Sequence, residues 1–126
     1  MKLFIIIITS FIALTLPSIT IADTLTTKAI KPVYFMAQLK IVDKDRFYSE
    51  YVPEVKKHIK AGKGEVLFGG ESPALQLEGT WDYFTIVIEF PSKENFDSFY
   101  YSEGNLNIAI PIRQEVTSVN NTMLFN

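Results

Sequence analysis

The chain has 126 residues, with 12 Lys and Arg, 14 Asp and Glu, one histidine and no cysteine. The lack of cysteine excludes disulfide bonds, thiol chemistry and a lipid-modified cysteine. The formal net charge of −2, without a basic stripe, argues against nucleic acid as a partner. One histidine without cysteine also leaves no typical ligand set for a transition metal, so we predict neither a metal nor a cofactor.

The N-terminus has the three parts of a secretory signal peptide. Lys2 supplies the positive charge, residues 3–16 form an almost unbroken apolar run, and Pro17 interrupts it. A membrane-spanning helix needs about 20 apolar residues, so this run is short for a membrane anchor; a buried N-terminal helix is the other alternative. We predict that residues 1–22 are removed by cleavage near Ala22. The protein is then exported to the periplasm or the extracellular space and meets the membrane only during export.

The rest of the chain is expected to comprise a polar, mobile leader over residues 23–31 and a single domain over residues 32–126. Residues 33–42 open that domain with a strand that carries apolar side chains on both faces. A strand of this kind is normally covered on both sides. We therefore do not expect a sheet with one face fully exposed to solvent.

The first helix should begin at Asp43, whose side chain can accept a hydrogen bond from the first turn. Pro53 lies inside this helix and should kink or split it, and Gly62 or Gly64 can close it. The apolar stripe of the helix contains Phe47, Tyr51, Val55 and Ile59.

Residues 65–69 and 84–90 alternate between apolar and other side chains and are predicted as strands. A shorter extended segment is expected at 74–78 between them. Ser92 follows the second of these strands and should cap a second helix. The apolar face of that helix contains Phe96, Phe99 and Tyr100.

Residues 105–116 are predicted as a further helical piece interrupted at Pro111, and residues 122–125 as a short last strand. The order β-α-β-(β)-β-α-β favours an α+β fold, a ferredoxin-like sandwich whose antiparallel sheet carries the helices on one face. The other face then presents apolar side chains, among them Tyr34, Met36, Val42 and Val87. Because apolar area left in water costs about 25 cal/mol per Å², we predict a homodimer through the sheet faces.

Several short motifs follow one another along this domain. They are Phe47-Tyr48-x-x-Tyr51 with Pro53, Gly69-Gly70, Leu77-Glu78-Gly79-x-Trp81, Ile88-Glu89-Phe90-Pro91-Ser92, Phe99-Tyr100-x-Ser102 and Arg113-Gln114. In this order and spacing, residues 34–124 resemble the domain of unknown function 1330 family, within the dimeric α/β-barrel superfamily. The resemblance implies a ferredoxin-like fold, a dimer and a pocket between sheet and helices, and it implies no particular activity. The chain departs from the family pattern at Gly62-Lys63-Gly64, where the family tends to have Gly-Gly-Arg.

Three residues are candidate catalytic groups. His58 lies near the core-facing stripe of the first helix and could act as a general base; a partly buried structural histidine or a surface residue is the alternative. Glu78 and Asp82 cluster at the turn before the strand at 84–90, where carboxylates could carry out acid–base chemistry. For these two residues, a solvated turn is the alternative.

Three further residues are candidate ligand-binding groups. Trp81 can stack on a flat ligand, and Arg113 can contact a carboxylate or an oxyanion. Tyr48 belongs to a set of six tyrosines, some of which could line a pocket for an aromatic or quinone-like molecule. A place in the core is the alternative for the aromatic residues.

Three functions fit these observations. The first, which we favour, is a dimeric small-molecule-binding protein of unknown ligand. The second is a cofactor-free enzyme of the monooxygenase or isomerase type acting on an aromatic or quinone-like substrate, with His58, Glu78 or Asp82 as the base. The third is a structural or interaction module whose dimer face is its function. Geometry separates them, since an enzyme needs an enclosed pocket with a titratable group and a second polar group near the ligand.

Overall fold

The computed structural model describes residues 29–126. The predicted signal peptide and most of the predicted leader therefore lie outside the described residues. Residues 29–32 run as exposed, irregular chain into the first strand. Within the described part of the chain, no helix is both long and apolar enough to cross a membrane.

The described residues form four strands and two runs of helical segments that connect them. In chain order they are β1 (Val33–Ile41), α1 (Lys44–Arg46), a first π-helical stretch (Phe47–Tyr51), α2 (Val52–Ala61), β2 (Glu65–Gly70), β3 (Phe84–Phe90), α3 (Lys93–Tyr100), a second π-helical stretch (Asn105–Ala109), α4 (Ile110–Val116) and β4 (Thr117–Phe125). The strands form one antiparallel sheet in the order β2-β3-β1-β4. This β-α-β-β-α-β arrangement, with the helices packed on one face of the sheet, is the ferredoxin-like α+β sandwich. The predicted fold class is confirmed.

The core lies between the helices and the inner face of the sheet. Alternate residues of β1 are buried there, as the two-residue period of a strand requires: Val33, Phe35, Ala37 and Leu39. The rings of Phe90 and Phe99 stack with their centroids 5.2 Å apart. The ring centroids of Phe35 and Phe96 are 5.7 Å apart. Each fully buried side chain of this size contributes about 1.5–3 kcal/mol, so this aromatic layer holds sheet and helices together.

Both predicted helix caps are confirmed. Oδ1 of Asp43 accepts a hydrogen bond from the backbone N–H of Arg46 at 3.1 Å, and Oγ of Ser92 accepts one from Asn95 at 3.2 Å. Each cap satisfies an N–H that has no partner inside its own helix. These two residues therefore set where the chain leaves β1 and β3 to cross over the sheet.

Each interruption predicted at a proline takes the form of a π-helical stretch. Phe47–Tyr51 precedes Pro53, and Asn105–Ala109 precedes Pro111; each proline lies in the first turn of the α-helix that follows. A backbone N–H donates to the carbonyl five residues earlier in each wide turn. In a regular α-helix, proline lacks the N–H and clashes with the carbonyl four residues earlier. The wider turn accommodates that ring.

Two predicted strands differ from the structure. The chain between β2 and β3 is irregular, and residues 74–78 form no strand: Leu75 is 74% and Leu77 84% exposed. These residues have no place beside β3, because β1 and β2 already occupy its two sides. The last strand, Thr117–Phe125, is longer than predicted, because an edge strand beside β1 tolerates the polar residues of its first half.

The outer face of the sheet carries Tyr34, Met36 and Val87, which the strand register places as neighbours. Phe68 of β2 lies opposite Val87, and Phe125 of β4 lies opposite Tyr34. Phe68 is 46% and Phe125 50% exposed. The apolar outer face therefore extends from one edge of the sheet to the other.

Candidate ligand-binding site

A cavity of about 170 Å³ lies between the inner face of the sheet and the helices. Most of its wall consists of core side chains, including Phe35, Leu39, Phe47, Val55, Ile59 and Ile88. Its polar wall residues are Tyr48, Tyr51, Lys56, Asn105 and Arg113. An apolar chamber with a few polar groups is the usual composition of a small-molecule site.

The two π-helical stretches and the α-helices that follow them supply the polar wall. Tyr48 and Tyr51 lie in the first stretch, Asn105 begins the second, and Arg113 lies two residues after Pro111. Single π-helical turns recur at functional sites because they change the direction in which nearby side chains point. The two interruptions therefore lie where two helical segments, distant in sequence, meet the same cavity.

Arg113 is a buried cation on the cavity wall. It is only 7% exposed, and it forms no ion pair with a carboxylate of the described residues. Its Nε–H has no hydrogen-bond partner there either. Burying an unpaired charge is strongly unfavourable, so this guanidinium is unusual for a purely structural residue.

Tyr51 lies beside Arg113 and is also buried. Burial raises the pKa of the Tyr51 hydroxyl, while the charge of Arg113 and a hydrogen bond with it act in the opposite direction. Because the net effect is a raised pKa, Tyr51 is a neutral phenol at neutral pH. It can donate a hydrogen bond into the cavity, but it is not a phenolate base.

The exposed part of the cavity wall marks its opening. Tyr48 and Lys56 are exposed there; both belong to the first helical segment, residues 44–61, which comprises α1, the first π-helical stretch and α2. Val66 and Gly69 of β2 are also exposed there. Strand β2 is an edge strand and most of it is exposed. The opening therefore lies in the gap between this edge of the sheet and the first helical segment.

Glu71 fixes the chain beside this opening. Its Oε1 accepts a hydrogen bond from the Tyr48 hydroxyl at 2.6 Å, and its Oε2 lies 2.7 Å from Nζ of Lys44. Partial burial and the bond to Glu71 raise the pKa of Tyr48 to about 12, so Tyr48 stays a donor. Lys44 and Tyr48 together hold the pKa of Glu71 below its usual value. The carboxylate thus ties the loop after β2 to the helices.

His58 does not line the cavity. Its Nε2 lies 3.0 Å from Oε1 of Glu54, one helical turn earlier, and its side chain is largely buried. Gly104 leaves room for the ring, since a Cβ atom at that position would collide with it. This environment favours the structural alternative for His58, and its role as a base stays a prediction.

Glu78, Trp81 and Asp82 lie in the loop before β3, away from the cavity wall. Glu78 is exposed. Oδ2 of Asp82 accepts from Nζ of Lys40 at 2.6 Å, and Trp81 packs edge-on against Tyr83 with ring centroids 6.5 Å apart. Trp81 and Asp82 border a separate surface depression.

The structure thus brings two of the six predicted site residues together around the cavity, Tyr48 and Arg113. It places the other four elsewhere: His58, Glu78, Trp81 and Asp82. In residues 29–126, no group of three or more His, Asp or Glu side chains is arranged to hold a metal ion.

Two wall residues, Asn105 and Lys56, were not predicted from the sequence. Asn105 is buried, and its Nδ2 donates to the backbone oxygen of Tyr100 at 2.8 Å. The sequence feature that could have indicated the inward position of Asn105 is Pro111, because a wide turn ahead of a proline changes which residues face inward. Lys56 carries no such signal, since it lies in a run of exposed lysines.

The fold and the cavity define a small ferredoxin-like α+β protein with an apolar site between sheet and helices. The model of a family described as a domain of unknown function (DUF1330) matches residues 32–125, and the chain belongs to this family. The resemblance inferred from the motifs is thereby confirmed. No curated protein sequence matches the chain.

Several solved structures share this fold at low sequence identity. A protein of unknown function from Rhodopseudomonas palustris has a TM-score of 0.57 at 16% identity, over 76% of this chain and 82% of that chain. The cofactor-independent oxygenase SnoaB from Streptomyces nogalater has a TM-score of 0.53 at 10% identity, over 75% and 91%. A dimeric ferredoxin-like protein of unknown function from Thermobifida fusca has a TM-score of 0.47 at 13% identity, over 75% and 89%. Similarity at these identities concerns the fold alone.

Proposed function

We propose that this protein is an exported, homodimeric binding protein that holds a small molecule in the cavity between sheet and helices. The observation that carries the proposal is the cavity of about 170 Å³, with buried Arg113 and Tyr51 on its wall. Protein interiors are close-packed, so voids of this size are few. A cavity of about 150 Å³ lined by aliphatic and aromatic side chains binds benzene. The chamber therefore suits a ligand built on one ring.

Binding accounts for the cavity wall better than catalysis does. The titratable side chains on this wall, within the described residues, are Tyr48, Tyr51, Lys56 and Arg113. A cofactor-free monooxygenase or isomerase needs a base within hydrogen-bond reach of its substrate. Neither His58 nor a carboxylate lies on the wall, and Tyr51 stays protonated. The likeness to an oxygenase concerns the fold, so it assigns no reaction to this chain.

The homodimer is part of the proposal because of the outer face of the sheet. Contiguous apolar surface of this kind marks an interaction site, and a second copy packed sheet to sheet buries the same residues on both partners. Glu89 lies on that face, and its interaction with the Tyr34 hydroxyl raises the pKa of Tyr34. Glu89 thus has a hydrogen-bond donor within its own chain. Sedimentation equilibrium at micromolar concentration tests the dimer, and a monomer there would contradict it.

Export is proposed from the N-terminal pattern alone. Fractionation of the native host followed by intact-mass measurement tests it. We expect the protein outside the cytoplasm, with the intact mass of a chain whose first residue is Asp23. A full-length chain in the cytoplasmic fraction would contradict export without affecting the proposed binding site.

Native mass spectrometry of protein purified from its own host tests ligand binding. We expect a dimer that carries one small molecule per protomer, released on denaturation and identified by its mass. A dimer without any bound molecule, together with no binding of single-ring compounds at millimolar concentration, would favour the structural or interaction module instead.

A further inference from the structure

Building on the proposed function, we propose that the cavity binds a small organic monoanion: a carboxylate attached to one aromatic ring, or to an apolar group of similar size, with the carboxylate held by Arg113. The apolar body occupies the chamber lined by core side chains, and the charged end meets the only buried guanidinium among the described residues. Ligand charge is thereby specified in addition to ligand size.

Arg113 has the charge and the shape to hold a carboxylate. Its side chain lines the cavity, and its Nε–H has no partner in the part of the chain that the structure describes. A guanidinium presents its N–H groups in a planar fork that matches both oxygens of a carboxylate. Since a buried ion is stable only when its charge is compensated, the ligand is expected to supply the missing negative charge.

The acidic residues near the site are engaged by other side chains. Glu115, on the same helix as Arg113, lies 2.9 Å from Arg46. Glu71, beside the opening, is bound by two side chains of the first helical segment. Glu54 is bound within its own helix. A second copy packed on the outer face cannot neutralise Arg113 either, because the sheet lies between them.

Two further wall residues favour an anion over a neutral ligand. The neutral hydroxyl of Tyr51 lies beside Arg113 and can donate a second hydrogen bond to a carboxylate oxygen. Lys56, at the opening, forms no ion pair with a carboxylate of the described residues. A cation at the entrance of an apolar chamber raises the local concentration of anions.

The test is calorimetric titration of the purified protein with benzoate and with benzamide, which has nearly the same shape and no charge. At neutral pH and low salt, we expect benzoate to bind about tenfold more tightly than benzamide, or better, because only benzoate compensates the buried guanidinium. Toluene serves as a third probe, which reports on the apolar chamber alone.

Two arginine variants locate the effect. Arg113→Met removes the charge and leaves an unbranched side chain that can still fill part of the space. We expect the affinity for benzoate to fall about tenfold, to the affinity for benzamide, and the affinity for benzamide to change little. Arg113→Lys should retain part of the preference, since it keeps the charge without the fork. Lys60→Met is the control, because Lys60 is an exposed cation of α2 outside the cavity wall and forms no ion pair with a carboxylate of the described residues.

The possible results are distinguishable. Benzamide binding as tightly as benzoate, or an unchanged benzoate affinity in folded Arg113→Met, overturns the anionic ligand and leaves the proposed binding function intact. No binding of benzoate, benzamide or toluene at millimolar concentration contradicts both. If Arg113→Met does not fold, the comparison of benzoate with benzamide on the unmodified protein decides.

Discussion

A Cβ atom on Gly62 would lie 2.7 Å from the backbone oxygen of Asn95 and 2.8 Å from Cβ of Phe99, so the end of α2 packs against α3 without room for a side chain. We therefore expect Gly62→Ala to destabilise the protein by about 1–3 kcal/mol, the usual cost of overpacking. Chemical denaturation followed by tryptophan fluorescence measures this free energy of unfolding.

Gly70→Ala is the matched control for this prediction. The nearest atom to a Cβ at Gly70 is the backbone oxygen of Ser72, at 3.9 Å, which is ordinary van der Waals contact. We expect a change within about 0.5 kcal/mol. Equal effects of the two substitutions would show that the contact between α2 and α3 is looser than described.

Lys63 adopts a left-handed backbone conformation, with φ of 59°, two residues after the last residue of α2. The N–H of Gly64 donates to the oxygen of Ile59 at 2.9 Å, and that of Lys63 donates to Lys60 at 3.0 Å, which together close the helix. The left-handed conformation costs a non-glycine residue about 1–2 kcal/mol. Lys63→Gly should therefore stabilise the protein by up to about 1 kcal/mol, after the entropy cost of glycine is subtracted.

Lys63→Ala separates this backbone effect from loss of the exposed lysine side chain. Alanine suffers the same backbone strain, so we expect its free energy of unfolding to stay within about 0.5 kcal/mol of the unmodified protein. Stabilisation by alanine equal to that by glycine would instead assign the effect to charge.

Val87→Asp tests the proposed dimer at the centre of the outer face, where Val87 neighbours Met36 and Phe68. An aspartate there is solvated in the monomer and buried without a partner in the dimer, so we expect the dimer dissociation constant to rise about a hundredfold or more. Analytical ultracentrifugation across a concentration series measures it. Ile108→Asp, on the exposed surface of the second π-helical stretch, should leave the dimer unchanged.

Glu71 makes the loop beside the cavity opening sensitive to acid. Its pKa in the folded protein is held below the usual value by Lys44 and Tyr48. The stabilisation is therefore fully present above the unfolded-state pKa of about 4.3 and is lost as the pH falls through the lower folded-state pKa. Hydrogen exchange in residues 71–83 should accelerate relative to the sheet in that acidic range.

Glu71→Gln removes this acid dependence. The neutral amide cannot pair with Lys44, so we expect fast exchange in the loop at neutral pH as well, with little further change on acidification. An unmodified protein whose loop exchanges at the same relative rate across this pH range would show that Glu71 does not restrain it.

Much of the fold was predictable because its signals are local. The alternation in β1 and β3 predicts which residues face the core. The caps at Asp43 and Ser92 predict where the helical connections after β1 and β3 begin. The segment at 74–78 has the same alternation and forms no strand, since pairing depends on a free neighbour in the sheet. A pattern within one segment does not encode that neighbour.

The candidate site was predictable only in part. Tyr48 and Arg113 were named from residue chemistry and line the cavity, whereas His58 was named from a helical wheel and faces Glu54 and Gly104 instead. Val55 and Ile59, downstream of the π-helical stretch, are buried as the spacing predicts, so the wheel assigned the core face correctly. It does not predict which side chains contact His58 at the edge of that face, because Gly104 comes from a distant part of the chain.

By itself, the sequence determined most of the element types, the apolar outer face and the N-terminal caps at Asp43 and Ser92, because periodicity and capping act between residues a few positions apart. Only the tertiary structure decided that Tyr51, Asn105 and Arg113 share one cavity. It also decided that Gly62 is required for close packing against α3 while its neighbour Lys63 takes the left-handed turn. These contacts join residues far apart in the chain, and their distances depend on how whole elements pack.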